Sequence, residues 1–158
     1  RDCIKHLDEF NLISPILKSV KEGKPFLGIC LGMQLLFDES MEFGRHQGLG
    51  LIKGSVVRFP AATDSSGLEL KVPHMGWNDI KMSKGSALMK GIHDGAYFYF
   101  VHSYYTAPAD ASVTLTTTGY GLEFTSAIEK DNIMACQFHP EKSQRVGLKL
   151  LKNFSELV

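Results

Sequence analysis

A cysteine set between two glycines, directly after a short apolar run, limits the fold of this chain more than any other feature. The apolar run occupies residues 25–30, Pro-Phe-Leu-Gly-Ile-Cys, and the glycine-flanked segment is residues 28–32, Gly-Ile-Cys-Leu-Gly. We expect a buried strand that ends in a sharp turn at Cys30, because small neighbours let such a turn form without a Cβ clash. Residues 33–39 resume a helical pattern. The region therefore predicts a strand, a turn and a helix in succession.

This predicted turn gives Cys30 the setting of a nucleophile. It lifts the sulfur out of the sheet and places it at the N-terminus of the next helix, where the dipole and free N–H groups favour the thiolate. The N–H of Leu31 would then point towards the oxyanion of a tetrahedral intermediate. A free cysteine is also commonly a small buried hydrophobic residue. Because Gly-x-Cys-x-Gly is short, the motif alone leaves both interpretations open.

Residues 137–141, Gln-Phe-His-Pro-Glu, supply a candidate base. Residues i and i+2 of an extended chain face the same side, and Pro140 favours an extended conformation at His139. His139 and Glu141 can therefore point into one site, with the carboxylate orienting the imidazole. In isolation these residues are better explained as a solvent-exposed strand end. Together with the cysteine turn they predict a catalytic triad of Cys30, His139 and Glu141.

The rest of the chain alternates between helical and extended patterns. Apolar positions between residues 2 and 22 recur at helical spacing with an interruption near 11–15, and residues 143–157 form an amphipathic helical pattern. Extended patterns cover residues 55–59, 68–72, 97–101, 113–118, 124–129 and 133–138. The order predicts an α/β fold with an antiparallel or mixed portion, and residues 1–158 fit a single domain.

Composition excludes several classes of function. Lys+Arg and Asp+Glu both total 17, so no net positive field indicates binding to nucleic acid or to a membrane surface. The apolar runs are far shorter than the roughly 18–20 residues of a membrane span. The cysteines, Cys3, Cys30 and Cys136, are odd in number and lack metal-ligand spacing. We expect no metal, no cofactor and a reducing, cytoplasmic setting.

Several segments of this sequence resemble a known family. Residues 28–34, Gly-Ile-Cys-Leu-Gly-Met-Gln, and 137–141 resemble the class I (triad) glutamine amidotransferases. Residues 73–78 (Pro-His-Met-Gly-Trp-Asn), 100–104 (Phe-Val-His-Ser-Tyr) and 139–143 (His-Pro-Glu-Lys-Ser) look like a group within that family, the glutaminase subunits of imidazole glycerol phosphate synthase. The resemblance runs from residue 2 to the C-terminal helix. It implies a flavodoxin-like three-layer fold with a mixed sheet.

The resemblance implies the hydrolysis of glutamine to glutamate and ammonia. Cys30 would form a γ-glutamyl thioester, His139 would carry the proton and Glu141 would hold the imidazole in its working tautomer. The residues that match glutamine-binding positions of the family are Gln34, Glu42, Ser103 and Tyr104.

The same resemblance implies a partner. Trp77 and Lys142 match positions where this family docks its cyclase subunit, a β/α barrel, in a heterodimer. The ammonia would pass to that subunit and be used to form imidazole glycerol phosphate in histidine biosynthesis. A lone Trp is otherwise more often an ordinary core residue than an interface anchor.

Members of the family carry further N-terminal strands and a Pro-Gly-Val-Gly-like loop before the position where this chain starts. That loop supplies the other half of the oxyanion hole. We therefore expect an N-terminally truncated domain whose first strands are missing, with weak or no glutaminase activity on its own.

Three alternatives stay open at this point. The chain could be the glutaminase domain of another class I amidotransferase, of the CTP or GMP synthesis type. It could be a stand-alone cysteine hydrolase of related fold, such as a γ-glutamyl hydrolase. It could also be an inactive fragment or binding subunit that keeps the fold.

Overall fold

The computed structural model describes residues 2–64 and 66–158, and these ranges contain four α-helices and eleven strands. The helices are α1 (Asp2–Glu9), α2 (Ile13–Lys21), α3 (Leu31–Gln34) and α4 (Gln144–Ser155). The strands of the first half are β1 (Phe26–Ile29), β2 (Phe37–Ser40), β3 (His46–Gln47), β4 (Ile52–Arg58), β5 (His74–Asp79) and β6 (Lys81–Met82). Those of the second half are β7 (Tyr97–His102), β8 (Tyr104–Pro108), β9 (Thr114–Gly119), β10 (Glu123–Lys130) and β11 (Ile133–Cys136).

In the described part of the chain, nine strands form a mixed sheet, called the main sheet below. Its strand order is β1-β11-β10-β8-β4-β2-β3, and β9 joins β10 and β6 beside that path. The pairs β1–β11 and β2–β4 are parallel, whereas the other pairs are antiparallel. The parallel pair β1–β11 aligns Ile29 with Cys136, so the chain leaves both strands at the same edge of the sheet.

The strands β5 and β7 form a separate antiparallel ribbon, called the β5–β7 sheet below. Its register pairs His74 with His102 and Trp77 with Tyr99. Alternation along β5 buries His74 and leaves Met75 and Trp77 exposed. The ribbon therefore has one inner face towards the core and one outer face towards solvent.

The main sheet separates two hydrophobic cores. On β11, Met134 and Cys136 point into the core that contains Phe98 and Phe100 of β7 and Leu150 of α4. Ile133 and Ala135 point to the opposite side, into the core that contains Val20 of α2 and Met33 of α3. This arrangement gives three layers: α2 and α3, the main sheet, and the β5–β7 sheet with α4.

Most elements predicted from the sequence are confirmed. The opening helical region is split at Asn11, which has a positive φ of 54°. The strand before Cys30, the extended segments within 55–59, 97–101, 113–118, 124–129 and 133–138, and the C-terminal helix are all present. The α/β class with a mixed sheet is also confirmed.

Two predicted elements are wrong. The helix expected over residues 33–39 ends at Gln34, and Phe37–Ser40 instead forms β2, which pairs in parallel with β4. Leu36 and Phe37 are fully buried, and a short apolar run fits a buried strand as well as a helix. Residues 68–72 form no strand, and only Glu69 makes an isolated bridge, to Thr63. Leu68 is largely exposed, so its apolar character does not report burial.

Within the described ranges, no helix has both the length and the apolar character needed to cross a membrane.

Candidate active site

Cys30 lies on a strained turn between β1 and α3. Its φ is 50°, a backbone conformation that residues other than glycine rarely adopt. Its N–H donates to the carbonyl of Cys136 over 2.7 Å, which fixes the turn to the end of β11. A Cβ on Gly28 would lie 2.9 Å from the backbone carbonyl carbon of Gly32. The turn therefore requires glycine at position 28.

The candidate base leaves the neighbouring strand at the same edge of the sheet. His139 follows β11 by three residues, and its Nδ1 lies 2.6 Å from Oε1 of Glu141. Because a carboxylate only accepts, Nδ1 carries the hydrogen of this bond, and Nε2 is the ring nitrogen that Glu141 does not engage. The His139 backbone is also fixed, since its N–H donates to the Tyr99 carbonyl over 2.8 Å and its carbonyl accepts from Ser143 Oγ over 2.6 Å. This region supplies an imidazole held in one orientation.

The sulfur of Cys30 has its own hydrogen-bond partner. Gln137 Nε2 donates to Cys30 Sγ over 3.6 Å. Between Cys30 and His139, both described, the structure contains no direct hydrogen bond.

The Leu31 N–H at the helix N-terminus favours the thiolate, as expected, but burial opposes it more strongly. Burial raises the pKa of the Cys30 thiol, and this effect outweighs the Leu31 N–H and the Gln137 amide, which lower it. Helix α3 has only four residues, so its dipole is small. The Leu31 N–H faces the sulfur, close to the position where an oxyanion would develop.

A pocket of about 340 Å³ opens beside Cys30. The predicted site residues among its lining are Leu31, Gln34, Glu42, Ser103 and Tyr104. This volume is at the lower end of the range for small-molecule pockets, which suits a ligand the size of an amino acid. Cavities of about 460 and 650 Å³ lie elsewhere, and their described lining residues include neither cysteine nor serine. The structure thus brings the predicted nucleophile and all four predicted glutamine-binding residues to one pocket.

The Gln34 side chain has only part of its hydrogen-bonding capacity left for a ligand. Its Nε2 donates to the Tyr104 carbonyl and to Gln137 Oε1, both over 3.0 Å. Both amide hydrogens are therefore used within the protein, and only Oε1 is left to accept from a ligand.

The two predicted interface residues lie outside this pocket. Trp77 is 45% exposed on the outer face of the β5–β7 sheet, where it packs edge-on against Tyr99. Lys142 is exposed at the end of the 3₁₀ turn Pro140–Lys142, directly after His139. Both side chains are available to a partner and lie on segments that contact the backbone of the candidate site.

A buried pair of histidines lies behind the pocket. His74 Nδ1 is 2.9 Å from His102 Nε2, and His102 Nδ1 is 2.8 Å from the Tyr104 carbonyl oxygen. Burial, together with a smaller contribution from the neighbouring His102, lowers the pKa of His74 to about 3. Burial also lowers the pKa of His102 to about 4, with a smaller contribution from His139. Both rings are therefore neutral at physiological pH.

Sequence reasoning assigned no role to Gln137, His74 or His102, although all three lie in the quoted motifs. Alternation along β7 was a usable signal, because His102 shares the buried face of Phe98 and Phe100. A histidine on an aromatic core face needs a partner. Nothing in the sequence indicates that this partner is His74. Within the described ranges, no group of three or more His, Cys, Asp or Glu side chains could hold a metal ion.

The fold and the site together have the arrangement of a cysteine-dependent hydrolase. A cysteine stands on a tight turn after a buried strand, and a carboxylate-oriented histidine follows the adjacent parallel strand.

Comparisons with known proteins identify the family. The family model for glutamine amidotransferase class-I matches residues 8–157. The imidazole glycerol phosphate synthase subunit HisH of Syntrophotalea carbinolica is 55% identical over 99% of this chain and 76% of its own length. The subunit of the same name from Geobacter sulfurreducens is 55% identical over 99% of this chain and 75% of its own. The chain belongs to the class I glutamine amidotransferase family.

Solved structures agree on the fold. A crystal structure of a glutamine amidotransferase superposes with a TM-score of 0.67 at 20% identity, over 97% of this chain and 71% of the other. At this identity the likeness concerns the fold alone.

Proposed function

We propose that this chain hydrolyses glutamine to glutamate and ammonia through a thioester on Cys30, and that the ammonia serves histidine biosynthesis. The observation that carries the proposal is the 2.6 Å pair of His139 and Glu141 at the sheet edge shared with Cys30. Family membership and the 55% identity to relatives named imidazole glycerol phosphate synthase subunit HisH support the substrate and the pathway.

In the first half-reaction Cys30 Sγ attacks the carboxamide carbon of glutamine. His139 Nε2 takes the thiol proton as the S–C bond forms, and the carbonyl oxygen becomes an oxyanion facing the Leu31 N–H. The protonated His139 then donates its proton to the amide nitrogen, and ammonia leaves. Glu141 stabilises the imidazolium that exists between these two steps.

In the second half-reaction water attacks the γ-glutamyl thioester. His139 Nε2 accepts a proton from that water and returns it to the sulfur as the S–C bond breaks. Glutamate leaves and the thiol is restored. The raised pKa of Cys30 suits this cycle, because a neutral thiol needs a base for attack and is a better end state than a buried thiolate.

The pocket residues bind the amino-acid end of glutamine in this proposal. The Glu42 carboxylate is the acceptor for the α-ammonium group. Ser103 and Tyr104 close over the substrate, and Gln34 accepts through its unused Oε1. Each of these groups lines the same pocket as the sulfur.

We also propose a cyclase partner of the β/α-barrel type, in a cytoplasmic heterodimer that receives the ammonia. The name of the relatives, a subunit of imidazole glycerol phosphate synthase, supports a multi-subunit enzyme. Trp77 and Lys142 supply an exposed aromatic anchor and an exposed cation next to the site. A glutaminase of the CTP or GMP synthesis type is not favoured, because the relatives at 55% identity carry the histidine-pathway name.

The test is glutamate release from glutamine, measured with the cyclase subunit present. We expect Cys30→Ala to abolish release and Cys3→Ala, a matched control at a half-buried cysteine outside the pocket, to leave it unchanged. Release by Cys30→Ala at the parental rate would overturn the proposal.

A further inference from the structure

We propose that Gln137 donates a hydrogen bond that stabilises the Cys30 thiolate during attack, and that the buried pair His74–His102 positions that amide through Tyr104 and Gln34. The inference rests on the proposed function, because it takes Cys30 as the nucleophile. Gln137 touches the reacting atom, whereas His74 and His102 act through other groups and are positioning residues.

The direction of the two amide hydrogen bonds that lead to the sulfur, through Gln34 and Gln137, follows from one backbone carbonyl. The Tyr104 carbonyl oxygen can only accept, so the Gln34 amide must present Nε2 to it. The second hydrogen of that Nε2 then donates to Gln137 Oε1 over 3.0 Å. With its oxygen held there, the Gln137 amide presents its N–H to Cys30 Sγ. The Tyr104 carbonyl, acting through Gln34, therefore sets the orientation in which the Gln137 amide donates to the sulfur.

The same carbonyl fixes the histidine pair. His102 Nδ1 must carry the hydrogen that the Tyr104 carbonyl accepts, so the Nε2 of a neutral His102 accepts from His74 Nδ1. His74 Nε2 in turn accepts from Asn78 Nδ2 over 3.2 Å. Asn78 Nδ2 also donates to the Gly119 carbonyl over 2.9 Å, which fixes that amide independently. The Tyr104 carbonyl at one end of the network and the Gly119 carbonyl at the other are therefore compatible with the same arrangement of hydrogens.

This arrangement holds only while both rings are neutral. A proton added to His102 Nε2 would set two donors against each other at the 2.9 Å contact with His74. Burial of both rings opposes that proton and lowers both pKa values. The histidine pair, His74 and His102, can thus hold the Tyr104 carbonyl without titrating in the working pH range.

The position of Gln137 suits a role in holding the sulfur. The side chain is fully buried at the end of β11, and its own N–H donates to the Ser126 carbonyl over 2.8 Å. Its amide is one of the groups that lower the pKa of Cys30 against burial, together with the Leu31 N–H and Lys142. Glu141 acts in the opposite direction. Loss of the amide hydrogen bond should therefore raise the pKa of Cys30, because burial and the Glu141 charge both act in that direction.

The test is the pH dependence of Cys30 alkylation by iodoacetamide, resolved by peptide mass spectrometry from Cys3 and Cys136. We expect Gln137→Met, which keeps the volume and removes the amide, to raise the thiol pKa and slow alkylation about tenfold at neutral pH. The matched control Gln47→Met, at an exposed glutamine of β3, keeps the parental profile. An unchanged profile in a folded Gln137→Met variant overturns the role of Gln137.

A second pair of variants tests the positioning role even if Gln137→Met does not fold. An asparagine amide can replace the Nδ1–H of histidine, so His102→Asn should keep the donor to Tyr104 and the parental alkylation profile. His102→Leu should slow alkylation severalfold. Equal rates in His102→Leu and the parent, or equal slowing in both variants, overturn the positioning role. Failure of the proposed function looks different, because Cys30→Ala would then still release glutamate.

Discussion

The turn at Cys30 and the inner face of the β5–β7 sheet lie close together but differ in the hydrogen bonding of their polar side chains. At the turn, Cys30 has a strained φ of 50° and makes no hydrogen bond to His139, although both residues are described. On the inner face, His74 and His102 are almost fully buried, and their hydrogen bonds form one continuous network. The two proposed reacting groups, Cys30 and His139, are not hydrogen-bonded to each other. By contrast, both ring nitrogens of His74 and of His102 have a hydrogen-bond partner.

The environment of the rings explains this difference. His74 stacks on Tyr120 with ring centroids 4.0 Å apart and on Phe100 at 4.9 Å. An apolar enclosure of this kind makes a charged ring costly, so these histidines are unsuited to proton transfer. His139 keeps about a fifth of its side chain exposed, at 18%, and pairs with a carboxylate that tolerates an imidazolium. The surroundings of His139 therefore suit the proposed role as a base, whereas those of His74 and His102 suit the proposed positioning role.

The largest expected effect comes from removing the base at the turn. His139→Asn should lower kcat for glutamine hydrolysis about 10²–10⁴-fold, because the proposed general base is removed. The measurement is glutamate release with the cyclase subunit present. His93→Asn, at an exposed histidine, is the matched control and should retain the parental rate. A near-parental kcat in His139→Asn would contradict the proposed role of His139 as the base, and with it the contrast to the buried His74 and His102.

The next effect concerns the outer face of the β5–β7 sheet. Trp77→Ala should weaken binding of the cyclase subunit about thirtyfold, the size expected for an aromatic anchor. Isothermal titration calorimetry would measure the change in Kd. Phe10→Ala removes another exposed aromatic, outside the β5–β7 sheet, and should leave Kd unchanged. If Trp77→Ala binds like the parent, the outer face is not the docking surface.

A smaller effect distinguishes the two glycines around the cysteine. Gly28→Ala places a Cβ 2.9 Å from the Gly32 backbone and 3.1 Å from Ala135 Cβ, and should destabilise the fold by about 1–3 kcal/mol. Gly32→Ala meets nothing within 4 Å and should be neutral or stabilising by under about 1 kcal/mol. Urea unfolding measures both variants. Equal stabilities would show that the turn does not depend on the close approach at Gly28.

The last expected effect is a pH dependence of stability. The folded pKa values of His74 and His102, about 3 and about 4, lie below their ordinary value of 6.5. The unfolded chain therefore binds more protons below pH 6.5, so this stability is full above pH 6.5 and falls as the pH drops towards 4. Each ring contributes a slope that approaches about 1.4 kcal/mol per pH unit as the pH falls below 6.5.

Urea unfolding at pH 7, 6 and 5 would measure that slope in the parent and in His102→Asn. We expect a shallower slope in the variant, because one titrating ring is gone. Identical slopes would show that His102 is not held neutral by the fold.

The sequence was most informative where the chemistry needs a local pattern. Gly28, Cys30 and the spacing of His139 and Glu141 predicted the turn and the oriented imidazole, because each depends on neighbours in the chain. Six roles stay predictions: glutamine binding by Gln34, Glu42, Ser103 and Tyr104, and partner binding by Trp77 and Lys142. Their positions in the structure are consistent with those roles.

The sequence was least informative where contacts join distant segments. The meeting of His74 and His102 depends on the register of β5 against β7, which periodicity does not set. The change from helix to strand at Phe37 depends on the parallel partner β4, fifteen residues further on. The Gln137 amide points to sulfur because of a carbonyl on β8. No local signal carries these pairings.

The central claim is that Cys30, and neither Cys3 nor Cys136, is the nucleophile. Covalent trapping with a glutamine-analogue electrophile, followed by peptide mass spectrometry, tests it most directly, because Cys3 and Cys136 serve as internal controls. We predict one label per chain, on Cys30, lost in Cys30→Ser. Labelling of Cys3 or Cys136 at the same rate, or no label on Cys30 in the folded protein, would contradict the account.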